Sequence, residues 1–400
     1  MDLKSAHPFW PIYSGLVRSY PSLKRDEICD VIILGGGISG AFMANALSQE
    51  GLKVVLLDKR DVATGSTSAS TALLQYEIDV PLYKLIETTN RNDAERAYWV
   101  CHESIDKLEA MLPSLEGECG FQRKQSVYLA SVEDDIPDLE KEYEARKRAG
   151  LDVSLLTASQ ITERFSFARP GAILSTQAAE VDSYRLAHLL LARAEKNGAK
   201  IYDRTEMIAY DTSAGEATVE TDAGWTVRGK HLVFATGYES GEYLPKKIVT
   251  LKSSFALVSE PLDHFDGWWE RALLWETARP YFYMRTTSDG RALIGGADDP
   301  FRNPLRRDAL IPKKAKLLED KFKDLFPKIQ MEVAYTWAGT FGETKDGLAY
   351  IGSIPQSPLC HFALGFGGNG ITHSVVAAEM IRDSILGRNN PDTRLFRFDR

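Results

Sequence analysis

The residues whose types and spacing suit chemistry begin with Gly35, Gly36, Gly37, Ile38, Ser39 and Gly40, a GxGxxG directly behind the apolar run DVIIL. In that spacing Gly35 permits a tight turn out of a strand, Gly37 lets the backbone approach a pyrophosphate, and Gly40 lets the next helix pack on the strand. The start of that helix offers unpaired N–H groups and a positive dipole end to phosphates. The following apolar run, KVVLL, ends at Asp58 and Lys59. A carboxylate there accepts hydrogen bonds from a ribose diol. A glycine turn with a surface aspartate is the plain alternative, and the strand–turn–helix–strand context disfavours it.

Two further segments carry chemistry. Residues 65–72 read GSTSASTA. Ser66, Thr67, Ser70 and Thr71 are poor core material but good hydrogen-bond donors, placed to line a diphosphate. A flexible Ser/Thr loop is the alternative. A second GxGxxG spans residues 365–370 and includes Gly367, Gly368, Asn369 and Gly370, with Ile371 following. It lies between a strand-like and a helix-like segment, but only thirty residues remain after it. No later strand or acidic residue is placed to hold a ribose, so it is not read as a second dinucleotide site. The same local physics, a helix N-terminus aimed at a developing negative charge, can serve another anion.

These residues need elements to hold them. Residues 30–34 and 53–57 read as strands buried on both faces of a parallel sheet. Residues 38–50 read as the helix between them, stopped by Gly51. Helices are predicted over 92–112, 136–149, 183–197, 313–326 and 372–386, and strands over 127–130, 200–202, 231–234, 332–338 and 362–364. The segments 255–259, 281–285 and 291–294 are strand-like and aromatic-rich, with a turn at residues 288–290. A hairpin is predicted around residues 222–224. The expected fold class is α/β with an α+β second domain: a Rossmann-like nucleotide-binding domain from 1–77, 181–241 and 330–400, interleaved with an antiparallel-sheet substrate domain from 78–180 and 242–329.

Composition bounds the rest. The chain has 400 residues, 44% hydrophobic and 26% charged, which is ordinary for a globular protein. Its net charge of −8 provides no global field for nucleic acid or an anionic membrane. No stretch approaches a membrane span or a secretory leader. The scattered Cys29, Cys101, Cys119 and Cys360 are expected to be reduced thiols, in keeping with a cytoplasmic location. No metal site is expected, because no His/Cys cluster shows ligand spacing.

The pattern resembles the flavin oxidoreductase family of D-amino-acid oxidase, glycine oxidase and sarcosine oxidase. DVIILGGGISGA, VVLLDKR, GSTSASTALLQ, HLVFATGY, YFYMRTTSDGRALIGG, TKDGLAYIG and GFGGNGITHS carry the likeness, in the family's order. The resemblance implies FAD, with Gly35, Gly37 and Gly40 at the pyrophosphate and Asp58 at the adenosine ribose. Ser66, Thr67, Ser70 and Thr71 would line the ribityl side, and the backbone at Met207 would hold adenine. Ala235, Thr236 and Gly237 would touch the cofactor's middle, and residues 367–371 would face the isoalloxazine pyrimidine. Arg285 falls where amino-acid oxidases clamp the substrate carboxylate, with Tyr283 beside it; a guanidinium forks two donors onto a carboxylate. An exposed or structural arginine is the alternative for Arg285.

Departures from the family bear on substrate and acceptor. Residues 337–343 contain no cysteine, so the FAD is expected to be non-covalent. Phe341 stands where many relatives carry arginine, and Ala72 where they often carry Lys or Arg. The oxygen-activating lysine of secondary-amine oxidases is absent near Leu293. The expected activity is oxidation of a C–N bond in an amino acid or small amine by hydride transfer to flavin N5, the acceptor being O2 or another molecule. Glu343 and His373 are candidate acid/base groups. Flavin-dependent oxidation of a 2-hydroxy acid or glycerol phosphate is the alternative, and it would favour a histidine base. An NAD-dependent dehydrogenase and a non-enzymatic flavin-bound protein are the other rivals.

Overall fold

The computed structural model describes residues 2–400. Val31–Leu34 and Val54–Leu57 are buried at every position and pair in parallel with Val31 opposite Val54. Their side chains alternate between two cores. Val31, Ile33, Val54 and Leu56 meet the helices Ile38–Gln49, Ser183–Lys196 and Gly370–Ile385. Ile32, Leu34, Val55 and Leu57 meet Val219 and Val227 of a four-stranded, largely antiparallel sheet. A strand covered on both faces has no solvent side to mark with polar residues, which is why these runs read as unbroken apolar stretches.

The parallel sheet has six strands in the order Tyr350–Ile354, Ser357–Leu364, His231–Phe234, Val31–Leu34, Val54–Leu57 and Lys200–Tyr202. Only its first edge strand is antiparallel. A second sheet of nine strands runs from Val333–Glu343 through Thr250–Ser259, Ala292–Pro300, Phe282–Thr286, Leu273–Glu276, Gln122–Leu129 and Gly171–Glu180 to Leu73–Gln75, with Val153–Thr157 added on Gly171–Glu180. Its outer face buries Phe255, Leu257, Met284 and Ile294 against Leu318, Phe322 and Leu325 of the helix Pro304–Leu325. Each such fully buried side chain contributes about 1.5–3 kcal/mol. The inner face turns toward the C-terminal ends of the parallel strands.

Three expectations about elements change. Val333–Glu343 pairs along its length with Thr250–Ser259. It therefore belongs to the nine-stranded sheet and not to the parallel sheet, where a boundary at residue 330 puts it. The helix expected at 313–326 begins at Pro304. Asn303 caps it by accepting from the Arg306 N–H at 2.9 Å, Pro304 occupies the favourable first position, and Pro312 lies within it on the exposed side. The strand Gly171–Glu180 was not expected from its alanine-rich sequence; pairing with Gln122–Leu129 and Val153–Thr157 supplies what local propensity does not.

All four cysteines are buried and free. Among the described residues, no helix is long and apolar enough to cross a membrane and no His/Cys/Asp/Glu group is spaced to hold a metal.

Candidate cofactor and substrate site

A cavity of about 310 Å³ opens where the parallel strands end against the inner face of the large sheet. Ligands bind at this edge of α/β sheets because the strand-to-helix turns converge there. Gly35, Gly37, Ile38 and Ser39 line it, as do Asp58, Lys59, Ser66, Thr67, Ser70, Thr71, Met207, Ala235, Thr236 and Gly237. Gly367, Gly368, Asn369, Gly370 and Ile371 line it from the opposite chain end. Two glycine motifs more than three hundred residues apart thus share one space.

Gly36 and Gly40 do not line the cavity; they shape it. A Cβ on Gly40 would run into the Gly35 carbonyl oxygen, and one on Gly36 would meet the Val62 side chain at 2.8 Å. Gly35 has φ +99°, and a Cβ there would collide with the Ala235 backbone. Gly37 is the N-cap of the helix Ile38–Gln49 and has no side chain to cap it, so first-turn N–H groups remain for an anion. Thr67 Oγ1 accepts from the Ile38 N–H at 2.8 Å, tying the Ser/Thr segment to the glycine turn. Asp58 accepts from the Gly36 and Arg60 N–H groups at 2.7 and 2.8 Å; burial nonetheless pushes its carboxyl pKa up. These features fit a dinucleotide: a phosphate-sized helix start, a carboxylate at the second strand, and hydroxyls between them.

Tyr283 lines the cavity. Its ring lies over Gly295, its partner across the sheet, where any Cβ would strike it. Gly295→Val is therefore expected to displace the ring and cost about 1–3 kcal/mol, measured as a fall in unfolding free energy in urea.

The other three candidate catalytic residues are corrected. Arg285 is 1% exposed and does not face the cavity. It donates to the carbonyls of Thr71 at 2.6 Å, Val181 at 2.9 Å and Thr286 at 2.9 Å, and lies 3.7 Å from Glu180. Strand parity puts it on the same side as Tyr283, but about 7 Å further along, where the Ser/Thr segment and Trp10 cover it. His373 is also 1% exposed. It follows cavity-lining Ile371 by two residues, about 200° around the helix, which turns it to Cys101 at 3.7 Å and onto Phe366. Burial pulls its pKa down to about 4. Glu343 lies beyond cavity-lining Gly339 and Phe341 on their strand and pairs with Lys252 at 2.7 Å.

The structure adds residues that the motifs did not single out. Gln75, Asp79, Tyr238, Ser254, Trp275, Arg279 and Trp337 all line the cavity. Tyr281, which opens the Y-x-x-x-R run (residues 281–285) that the family resemblance puts at the substrate, lines it too. Asp79 had no signal, because it lies in irregular chain between the strand Leu73–Gln75 and the helix Leu82–Thr88. Asp79 accepts from the Gly368 N–H at 3.1 Å. Burial, with Glu343 adding to it, raises its carboxyl pKa to about 6 against the opposing pull of Gly368, Arg279 and Lys252. Burial does the same to Asp298, also to about 6.

A glycine turn between a parallel strand and its helix thus faces a largely antiparallel sheet, and a second glycine turn lines the same cavity. Residues 30–384 match the DAO family, described as FAD dependent oxidoreductase. The chain belongs to that family and is an FAD-dependent oxidoreductase. It is 26% identical to the glycine oxidase of Bacillus licheniformis over 367 residues, covering 90% of this chain and 93% of that one. The crystal structure of glycine oxidase from Geobacillus kaustophilus superposes with a TM-score of 0.78 at 23% identity, covering 91% of this chain and 96% of that one. An FAD-bound L-alpha-glycerophosphate oxidase from Mycoplasma pneumoniae shares the fold at a TM-score of 0.75 and 16% identity, covering 91% and 97% of the two chains.

Proposed function

We propose that this chain oxidises the C–N bond of an amino acid or small amine. The carrying observation is the charge of the substrate side of the cavity. Beyond the cofactor cradle, Trp275, Tyr238, Tyr281 and Tyr283 form aromatic walls, and Asp79 lies among them. Asp298 and Glu343 act electrostatically on Asp79 from neighbouring strands. Aromatic faces and carboxylates together favour a cation, and an amine is the cationic partner of this chemistry. The glycine oxidase relative, aligned over nearly its whole length, points the same way. The histidine that a C–O oxidation would call on, His373, is turned to the far side of its helix.

In this reading the N-terminus of the helix Ile38–Gln49 holds the FAD pyrophosphate and Asp58 the adenosine ribose, with the Met207 backbone near adenine. Ser66, Thr67, Ser70, Thr71 and residues 235–237 line the cofactor's length, and residues 367–371 face the flavin ring. FAD, when bound, would accept the hydride, which carries both electrons. The protein's own part is to exclude water with the aromatic walls and to hold the substrate in one orientation. Arg279, exposed at the cavity, is placed to meet a substrate carboxylate in the role first assigned to Arg285.

The test is anaerobic bleaching of the purified yellow protein by amino acids, N-methyl amino acids and amines, against 2-hydroxy acids and glycerol phosphate. An amine or amino acid should bleach the flavin. Bleaching by hydroxy compounds alone would remove the C–N reading. Admitting air to the bleached sample then separates an oxidase, which recolours in seconds, from a dehydrogenase, which does not.

A further inference from the structure

We propose that Asp79 recognises the substrate's ammonium group and takes its proton, so that the amine reaches the cofactor neutral; this rests on the C–N reading above. The chain fixes Asp79 from both sides. Two residues before it, Glu77 receives Arg146 at 3.1 Å, and its carbonyl takes the side-chain amide of Asn369. One residue after it, the Val80 carbonyl takes the Tyr98 hydroxyl at 2.9 Å. Asp79 Oδ2 is committed to the Gly368 N–H. The other oxygen, Oδ1, belongs to a carboxyl that lines the cavity beside the 367–368 turn and acts electrostatically on Tyr281. Gly367 has φ +56°, and a Cβ there would run into Asp79 Oδ2, so this turn is shaped around the carboxylate.

An amine is oxidised as the free base, because its nitrogen lone pair must drive hydride out of the adjacent C–H. An ammonium has no such pair. In the assigned step one N–H bond of the ammonium breaks, its electron pair stays on nitrogen, and the proton passes to Asp79 Oδ1. Nothing is oxidised or reduced in that step. A carboxylate in water is a poor acceptor for such a proton, and the half-buried Asp79, whose pKa is raised, is better matched. The charged and titratable groups around Asp79 come from every neighbouring element: Tyr238, Arg279, Tyr281, Lys252, Glu343 and Asp298. Burial raises the Asp298 pKa to the same range, about 6.

Two measurements on the holoenzyme test this. The visible flavin spectrum of the wild type is expected to shift with a midpoint at about pH 6, because Asp79 shares the Gly368 N–H with the turn facing the flavin. The midpoint should vanish in Asp79→Asn and persist in Asp298→Asn. A flat wild-type titration, or a midpoint lost only in Asp298→Asn, overturns the proposal. The second measurement uses 2-aminoisobutyrate and 2-hydroxyisobutyrate, which lack a transferable hydrogen, with binding read from the same spectrum. The amine should bind about tenfold more weakly at pH 5 than at pH 7.5, following the ionised fraction of Asp79. Asp79→Asn should lose about tenfold or more for the amine at pH 7.5 and little for the hydroxy acid. Equal loss for both ligands, or none for the amine, overturns the role of Asp79 and leaves the C–N reading standing. Wild-type binding of the hydroxy acid alone overturns both.

Discussion

Gly40→Val is expected to yield a colourless protein. Gly40 is the third residue of the helix Ile38–Gln49, within its first turn, and its α-carbon lies so close to the Gly35 carbonyl that a single added Cβ collides with backbone. Backbone cannot rotate away as a side chain can, so the helix must move off the strand. The cost of forcing extra carbons into such a contact is about 1–3 kcal/mol. The functional loss is larger, because the displaced helix start is the group that would meet the pyrophosphate. A loss of FAD affinity of about 100-fold or more is expected, equivalent to about 2.7 kcal/mol or more. The measurement is the flavin-to-protein absorbance ratio after gel filtration, with circular dichroism to confirm that the fold persists. Gly40→Ala gives the milder case, since it adds only the colliding atom. A variant that retains a full complement of FAD would show that this turn does not position the cofactor.

Arg285→Met should destabilise the protein by about 3–5 kcal/mol, the usual cost of removing one partner from a buried charge pair. Its guanidinium joins three chain segments through the carbonyls of Thr71, Val181 and Thr286. Without it these acceptors lose their donor, and Glu180, which is fully buried, keeps only Lys124 at 3.5 Å and the Thr286 hydroxyl at 3.4 Å. The loss appears as a lower denaturant midpoint. Arg285→Lys should restore only part of it, because the three carbonyls are met by three different nitrogens of the planar guanidinium and a single ammonium nitrogen does not span their positions. At temperatures where the variant is folded, KM for the substrate should stay within about threefold of the wild type. A carboxylate clamp would behave oppositely, with a KM raised by orders of magnitude and little change in stability.

What the sequence determined by itself is the part of the protein written in short-range geometry. The glycines of 35–40, the two apolar runs and Asp58 define a strand–turn–helix–strand unit, because turn sterics and helix–strand contact act within thirty residues and tolerate few residue types. The parallel strands were readable for the same reason, since burial on both faces leaves no polar positions. The second glycine motif was legible as a helix start, but its meeting with the first was not.

Only the tertiary structure decided which side chains face the cavity. Arg285 carries the right charge on the right side of its strand, yet lies two residues too far along and is covered by the Ser/Thr segment. His373 is two residues from a cavity-lining position and so faces the opposite way around its helix. Asp79 belongs to no motif and no periodic element, and it acquires its environment only when residues 77–80 fold against the turn that follows the last strand. Residue type and spacing specify what a side chain can do; the distance along a strand and the angle around a helix at which other segments cover it specify whether it faces the ligand.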